Sequence, residues 1–353
     1  MKLTLITGNN RFFGQTRKPW ISIDVQELCA HLQSSGIEVV EHTLSEVLNS
    51  KAKIKDSIVF YTFSQKDNIR HCIIDAMRDL YQQNNILIPS LELLNCHENK
   101  GYQVLFSQRM GIADLWSGYY SSKQDLVCGD LIFPLVLKTL TGSNGRGVFL
   151  VKDYSSLLKT IKALEPPLSV GVQIDLLRRR MFRKNKVFAG YPHLRGREDT
   201  LLYTDYITPE IPFVLQEFVP KLTCDYRVLI LGSRYYAIRR LNRDSDFRAS
   251  GAKRFVFDED LPLGLLDYAK SIYHKLNNPT LALDIGMSPR GFHLFEFQAQ
   301  HTGISSIVNS SGYHQFEGSV WKYYKENISY EQGIADALAT YLKSNPKHSS
   351  HGA

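Results

Sequence analysis

Several things are missing from this chain of 353 residues, and each absence removes a class of function. No apolar run approaches the roughly 20 residues a helix needs to cross a bilayer, so neither a spanning segment nor a membrane partner is expected. The apolar start, Leu3 to Ile6, is too short for the core of a secretion signal. Five cysteines are scattered along the chain (Cys29, Cys72, Cys96, Cys128 and Cys224) with no C-x-x-C pair. That pattern excludes a disulfide framework or a thiolate zinc site and fits free thiols in a reducing cytoplasm. There is no internal repeat, and no low-complexity tract apart from the polar tail Lys347 to Ala353. Two phosphate fingerprints are absent as well. A P-loop needs its lysine after the last glycine, followed by Ser or Thr; Arg146-Gly147-Val148 stands there instead. A dinucleotide fingerprint needs G-x-G-x-x-G between a strand and a helix, whereas the spacing here is G-x-x-G-x-G before a β-type run.

What is present is an ordinary globular composition, 43% hydrophobic and 22% charged, long enough for two or three domains. The formal charge of +7 favours acidic partners, whether nucleotides, anionic glycans or nucleic acid, without choosing among them. The organising stretch is Phe133 to Val151, FPLVLKTLTGSNGRGVFLV. It predicts a strand ending in Lys138, a loop containing Gly142, Ser143, Asn144, Gly145, Arg146 and Gly147, and a second strand. Glycines allow positive φ and let backbone amides converge on an anion, and a strand-end lysine adds a point charge. An ordinary hairpin with a long glycine turn is the alternative.

Read in order, Leu3 to Ile6, Ile37 to Val40, Ile58 to Tyr61 and Ile86 to Ile88 are β-type runs. Between them, Val25, Leu28, Cys29, Leu32 and then Ile69, Ile73, Met77, Leu80, Tyr81 have helical spacing. Strands alternating with helices predict a small α/β domain with a mainly parallel sheet. Asn99-Lys100 opens a further helix, in which Lys100 alone reads as a solvated surface residue. Between 168 and 212 lie Arg178, Arg179, Arg180, Arg183, Lys184, Lys186, Arg195 and Arg197, interleaved with Phe182, Phe188, Tyr191 and His193. This is an anion-binding face or a solvated basic insertion. Phe213 to Val219 is a strand stopped by Pro220. Tyr226 to Leu231 and Arg234 to Arg239 form a hairpin about Gly232-Ser233, Leu265 to Leu276 is a helix, and Glu331 to Leu342 is the last one.

Leu281 to Ile285 and Phe292 to Phe297 predict paired strands that carry the most informative acids. Asp284 interrupts one apolar strand and Glu296 the other, with Gln298 two residues on and so on the same face. Two carboxylates and an amide oxygen suit Mg²⁺ held together with substrate phosphates. The alternative is a pair of surface acids neutralised by nearby arginines.

Taken together and in order, these pieces resemble the ATP-grasp superfamily of carboxylate–amine ligases, in the branch of the ribosomal-protein glutamate ligases and, more distantly, D-alanine–D-alanine ligase. The resemblance runs from Lys100 to about Gly303. It implies an α/β (α+β) fold with an N-terminal pre-ATP-grasp domain (1–98), a central lid subdomain (99–212), a C-terminal nucleotide and metal subdomain (213–345) and a disordered tail (346–353). It implies that ATP is bound by Lys100, Lys138 and the loop residues Gly142, Ser143, Asn144, Gly145 and Gly147. The adenine-side hinge would be Gln216, Glu217, Phe218 and Val219, and Asp225 of the D-x-R motif would take the ribose. Arg239, Arg240 and Arg248 would be catalytic, and Asp284, Glu296 and Gln298 would hold one or two Mg²⁺, which Mn²⁺ can replace. The pattern departs from the family at Gln298, usually Asn, and at Gln298-Ala299-Gln300-His301-Thr302-Gly303, which stands in place of N-x-S-P-G. His301 reads either as a proton acceptor for the amine or as a polar wall.

The implied activity joins a carboxylate, activated as an acyl-phosphate, to an amine with release of ADP and phosphate. The basic insertion points to an acidic carboxylate substrate such as a uronic-acid glycan or an acidic peptide. Cytoplasmic location and a homodimer or homotetramer are expected. Two alternatives stand beside it. One is an ATP-grasp kinase that stops at a phosphorylated small molecule. The other is a nucleic-acid-binding protein using residues 178 to 197, which ranks below because it leaves the ordered ATP motifs unexplained.

Overall fold

A computed structural model of the chain describes residues 1–14, 22–142, 145–182, 187–243, 246–248, 254–257, 260–300 and 302–344. The predicted tail therefore lies outside the described residues. The chain divides into two compact units, one of residues 1–116, 140–147 and 219–353, the other of residues 117–139 and 148–218.

The first unit opens with β1 (Lys2–Thr7), α1 (Val25–Ser34), β2 (Glu38–Thr43), α2 (Leu44–Leu48), β3 (Ile58–Tyr61), α3 (Asp67–Gln82), β4 (Ile86–Ile88), α4 (Leu91–Cys96) and α5 (Lys100–Arg109). The four strands form a parallel sheet in the order β2-β1-β3-β4, as the alternation of runs and helical periods predicts. Asp24 caps α1 by accepting from the amides of Gln26 and Glu27. All five cysteines are free.

The second unit carries β5 (Ser117–Tyr120), β6 (Leu135–Thr139), β7 (Val148–Val151), α6 (Tyr154–Leu164), α7 (Val170–Phe182), β8 (Val187–Phe188), β9 (Tyr191–Arg195), α8 (Gly196–Ile207) and β10 (Phe213–Glu217). Its antiparallel sheet has the order β5-β10-β6-β7. Leu157 and Ile161 of α6 close one face over Leu135, Leu137, Phe213 and Leu215. The expected strand–glycine loop–strand is present, with Lys138 opposite Val148. Gly142, Gly145 and Gly147 all have positive φ (126°, 72° and 72°), which explains glycine at those positions.

The first unit resumes with β11 (Cys224–Leu231), β12 (Arg234–Leu241), β13 (Phe255–Val256), α9 (Leu265–Leu276), β14 (Thr280–Ser288), β15 (Gly291–Gln298), α10 (Ser305–Val308), β16 (Tyr313–Glu317), β17 (Val320–Tyr324) and α11 (Tyr330–Ser344). These strands make a second, seven-stranded sheet, β15-β14-β11-β12-β16-β17 with β13 on β12. Its central strands are apolar on both sides. Val228, Ile230, Leu281 and Leu283 pack with Leu265, Ala269 and Ile272 of α9. Leu229, Leu231 and Ala282 join a core with α11 and with Leu3 and Leu5 of β1. At the β11–β14–β15 end the alternation changes, and one face becomes charged.

Candidate active site

β-strand pairing builds the charged face. On β11, Asp225 and Arg227 point the same way because they are two residues apart. Asp225 lies opposite Arg240 of β12, and Arg227 lies opposite Asp284 of β14. Asp284 lies opposite Glu296 of β15. The ladder slips between Asp284 and Ile285, whose partners are Glu296 and Leu294, so the register passes over Phe295. Such a bulge re-aims neighbouring side chains, and it is invisible in the sequence.

Arg240 is the hub. Its Nε and Nη2 donate to both oxygens of Asp225 at 2.6 and 2.8 Å, and its Nη2 stands 3.0 Å from Asp284 Oδ2. Arg240 and Asp225 are only 5% and 8% exposed. Burial pushes the Asp225 carboxyl up against the pull of Arg240, with Asp284 adding to the push. Burial works against the Arg240 charge, yet Asp284 and Asp225 outweigh it and raise its affinity for the proton. The guanidinium therefore stays charged. Arg227 ties the next row together. Its Nη2 donates to Gln298 Oε1 at 2.7 Å, and its Nε is 3.8 Å from Asp284 Oδ1.

Lys100 joins this face to the glycine loop. It is the first residue of α5, which Asn99 caps by accepting from the Tyr102 amide. The side chain is buried, not solvated as Lys100 read alone suggested. Its Nζ donates to the Gly142 carbonyl at 2.9 Å and lies 4.0 Å from Glu296 Oε1. Arg248 reaches the same loop, donating to the Gly145 carbonyl at 3.1 Å. It also holds the Asp246 carboxyl below its usual range by hydrogen bonding.

Of the expected residues of the first unit, Arg239 does not join this group. Arg239 lies opposite Tyr226 and Val256, so alternation sends it to the other face from Arg240. Lys138, Gln216, Glu217 and Phe218 belong to the second unit. There Lys138 lies opposite Val214, and Gln216 Nε2 donates to Ser117 Oγ at 3.2 Å. Val219, in the first unit, is buried. Ser143, Asn144, His301, Arg183, Lys184 and Lys186, and the side chains of Phe188, Tyr191, His193, Arg195 and Arg197, lie outside the described residues. Sequence reasoning underrated Arg227. The signal was its place two residues after Asp225 in the D-x-R motif.

Asp284, Glu296 and Gln298 share the face, and their oxygens are the hard donors that Mg²⁺ prefers. Among the described residues no three His, Cys, Asp or Glu side chains cluster to hold a metal. The chain thus offers part of a shell, which fits Mg²⁺ bound with waters and phosphates. Arg227 sits on the Gln298 oxygen and Arg240 on Asp284, so a cation would displace or share with them. Past the carboxyl end of β3 is a small pocket whose lining includes Tyr61, Phe63, Gln300 and Thr302.

No family model and no curated protein matches the chain. Solved structures do. The RimK domain ATP-grasp protein from Sphaerobacter thermophilus DSM 20745 superimposes with a TM-score of 0.50 at 11% identity, over 97% of this chain and 99% of that one. The macrocyclase MdnC from Microcystis aeruginosa MRC, bound to its precursor peptide MdnA, gives 0.50 at 11%, over 96% and 100%. D-cycloserine synthetase DcsG gives 0.51 at 11%, over 96% and 99%. The likeness extends over nearly the whole length of each chain, and the chain has the ATP-grasp fold.

Proposed function

We propose that this chain is an ATP-dependent carboxylate–amine ligase that forms ADP and phosphate. The supporting observation is the Lys100 side chain, which bonds the glycine loop at Gly142 and approaches Glu296, within the Asp284–Arg227–Gln298 face. A carboxylate oxygen of the substrate attacks the γ-phosphorus of ATP. The bond from that phosphorus to the β,γ-bridging oxygen breaks, and ADP departs. An amine then attacks the acyl carbon, phosphate leaves, and the nitrogen loses a proton.

In this reading Lys100, Lys138 and the loop amides hold the phosphates, because phosphoryl transfer needs positioning and charge neutralisation. Gln216 to Val219 take the adenine. The ribose role of Asp225 competes with its fork to Arg240. Mg²⁺ at Asp284, Glu296 and Gln298 would supply charge neutralisation on the β- and γ-phosphates. Arg240 and Arg248 stabilise charge on the carboxylate and the transferred group. The glycine loop excludes water from the hydrolysable acyl-phosphate. The net charge of +7 supports an acidic carboxylate substrate such as a uronic-acid glycan or an acidic peptide. We place the enzyme in the cytoplasm, where ATP is supplied, and as a homodimer or homotetramer.

The test is a screen of amino acids and carboxylates for phosphate release from ATP, followed by product analysis. Amide, ADP and phosphate together support the ligase. A phosphorylated product with ADP and no free phosphate replaces it with the kinase. Glu296→Gln should lower ATP turnover by about a hundredfold or more with an unchanged circular dichroism spectrum. Normal turnover in that variant removes the metal assignment.

A further inference from the structure

Helix α7 is amphipathic in the reverse sense for a surface helix. Its half-buried residues are Val172, Asp175, Leu176 and Arg179. Arg179 lies 3.6 Å over the ring of Tyr203 in α8, and Asp175, the sole acid of α7, accepts from Arg178 and Arg179 at 3.0 Å each. The outer side carries Val170, Ile174, Leu177 and Met181, which are 72%, 61%, 57% and 64% exposed, with Phe182 at 76%. At 100° per residue the first four fall within about 60° of one another, a continuous apolar ridge. Arg178 and Arg180 stand roughly 70–90° to either side of it. On α8, Leu201, Leu202 and Tyr206 are exposed too. Monomeric proteins rarely leave such a surface uncovered.

Charge decides the occupant. A second copy laid ridge to ridge would bring Arg178 and Arg180 against their own counterparts, with Asp175 already taken. A nucleic acid would meet the arginines and could stack a base on Phe182 or Tyr206, but it leaves the aliphatic ridge of Val170, Ile174, Leu177 and Met181 in water. An anionic bilayer satisfies both features. Aliphatic side chains enter the acyl boundary while arginines on both flanks meet headgroup phosphates. No helix among the described residues is long and apolar enough to cross a membrane, and a helix lying in the interface needs no spanning run. The expectation of no membrane partner rested on that absence alone.

We propose that α7 docks this chain on the surface of an anionic lipid bilayer, with its ridge in the interface and Arg178 and Arg180 on the headgroups. The test uses the full chain and cosedimentation with vesicles, so it does not depend on ATP turnover. Vesicles of phosphatidylcholine mixed with phosphatidylglycerol should bind it, and pure phosphatidylcholine should bind it far less. Salt should weaken the binding. The double variant Ile174→Glu, Leu177→Glu should bind at least about tenfold more weakly, with unchanged circular dichroism. Arg178→Gln with Arg180→Gln should remove the preference for the anionic lipid. The proposal is overturned if phosphatidylglycerol vesicles do not bind, or if the glutamate variant binds them as well as the parent. It is equally overturned if that variant dissolves a dimer seen in gel filtration while vesicles bind neither protein, or if oligonucleotides bind and vesicles do not.

Discussion

Arg240 shows how a single residue can hold a charged site inside a sheet. Its guanidinium lies between Asp225 and Asp284, and neither Asp225 nor Arg240 is open to water. Removing one partner of such a group leaves a buried charge uncompensated, which costs about 3–5 kcal/mol. Arg240→Met should therefore lower the free energy of unfolding by roughly that amount in a denaturant titration, and a loss under about 1 kcal/mol would mean the group is not the buried hub. His97 offers a second reading at this scale. It is 6% exposed, its ring packs edge-on against Phe63, and among the described residues neither ring nitrogen has a hydrogen-bond partner. Burial and then Arg70 lower it from 6.5 to about 4. The unfolded chain binds this proton first, so the contribution is complete above about pH 6.5 and is lost as pH falls toward 4. The expected loss is up to about 3 kcal/mol. His97→Phe should flatten that part of the stability-versus-pH curve, and an unchanged slope would locate the acid sensitivity elsewhere.

Elements carry the site through register. The ladder sets Arg227, Asp284 and Glu296 in a row across β11, β14 and β15. The glycine loop combines three positive-φ positions with Lys100 and Arg248 on its carbonyls. The β16–β17 hairpin depends on a close approach at its base. A Cβ at Gly312 would stand 2.0 Å from the carbonyl oxygen of Tyr324. Gly312→Ala should cost about 1–3 kcal/mol by forcing the strands apart, read as a lowered thermal midpoint. A variant as stable as the parent would show that the hairpin yields freely there.

At the scale of the whole molecule the two compact units have separate apolar cores. The second unit is held by Leu137, Leu157, Phe213 and Leu215, all fully buried, and the first by the clusters on either side of its large sheet. Separate cores need not unfold together. Leu215→Ala, which opens a cavity costing about 2–5 kcal/mol, should move one calorimetric transition and leave the other in place. One transition shifting as a whole would show that the units unfold as one.

Periodicity alone located the parallel N-terminal sheet, because its strands are short apolar runs separated by amphipathic helices. It also located the glycine hairpin and the strands bearing Asp284 and Glu296, where a carboxylate interrupts a core-like run. It did not reveal β16 and β17, whose half-exposed aromatic and polar residues lack a clean alternation. Nor did it find helices α7 and α8, hidden within a dense charge run. Residue types and their order were enough to anticipate the fold, through their resemblance to the ATP-grasp pattern. Which of them meet was decided by the tertiary structure. Strand register put Arg240 on Asp225 and Asp284 and sent Arg239 to the opposite face, and the fold brought Lys100 to Gly142 and Glu296. A side chain's type is local, but its partner is chosen by pairing between strands far apart in the chain.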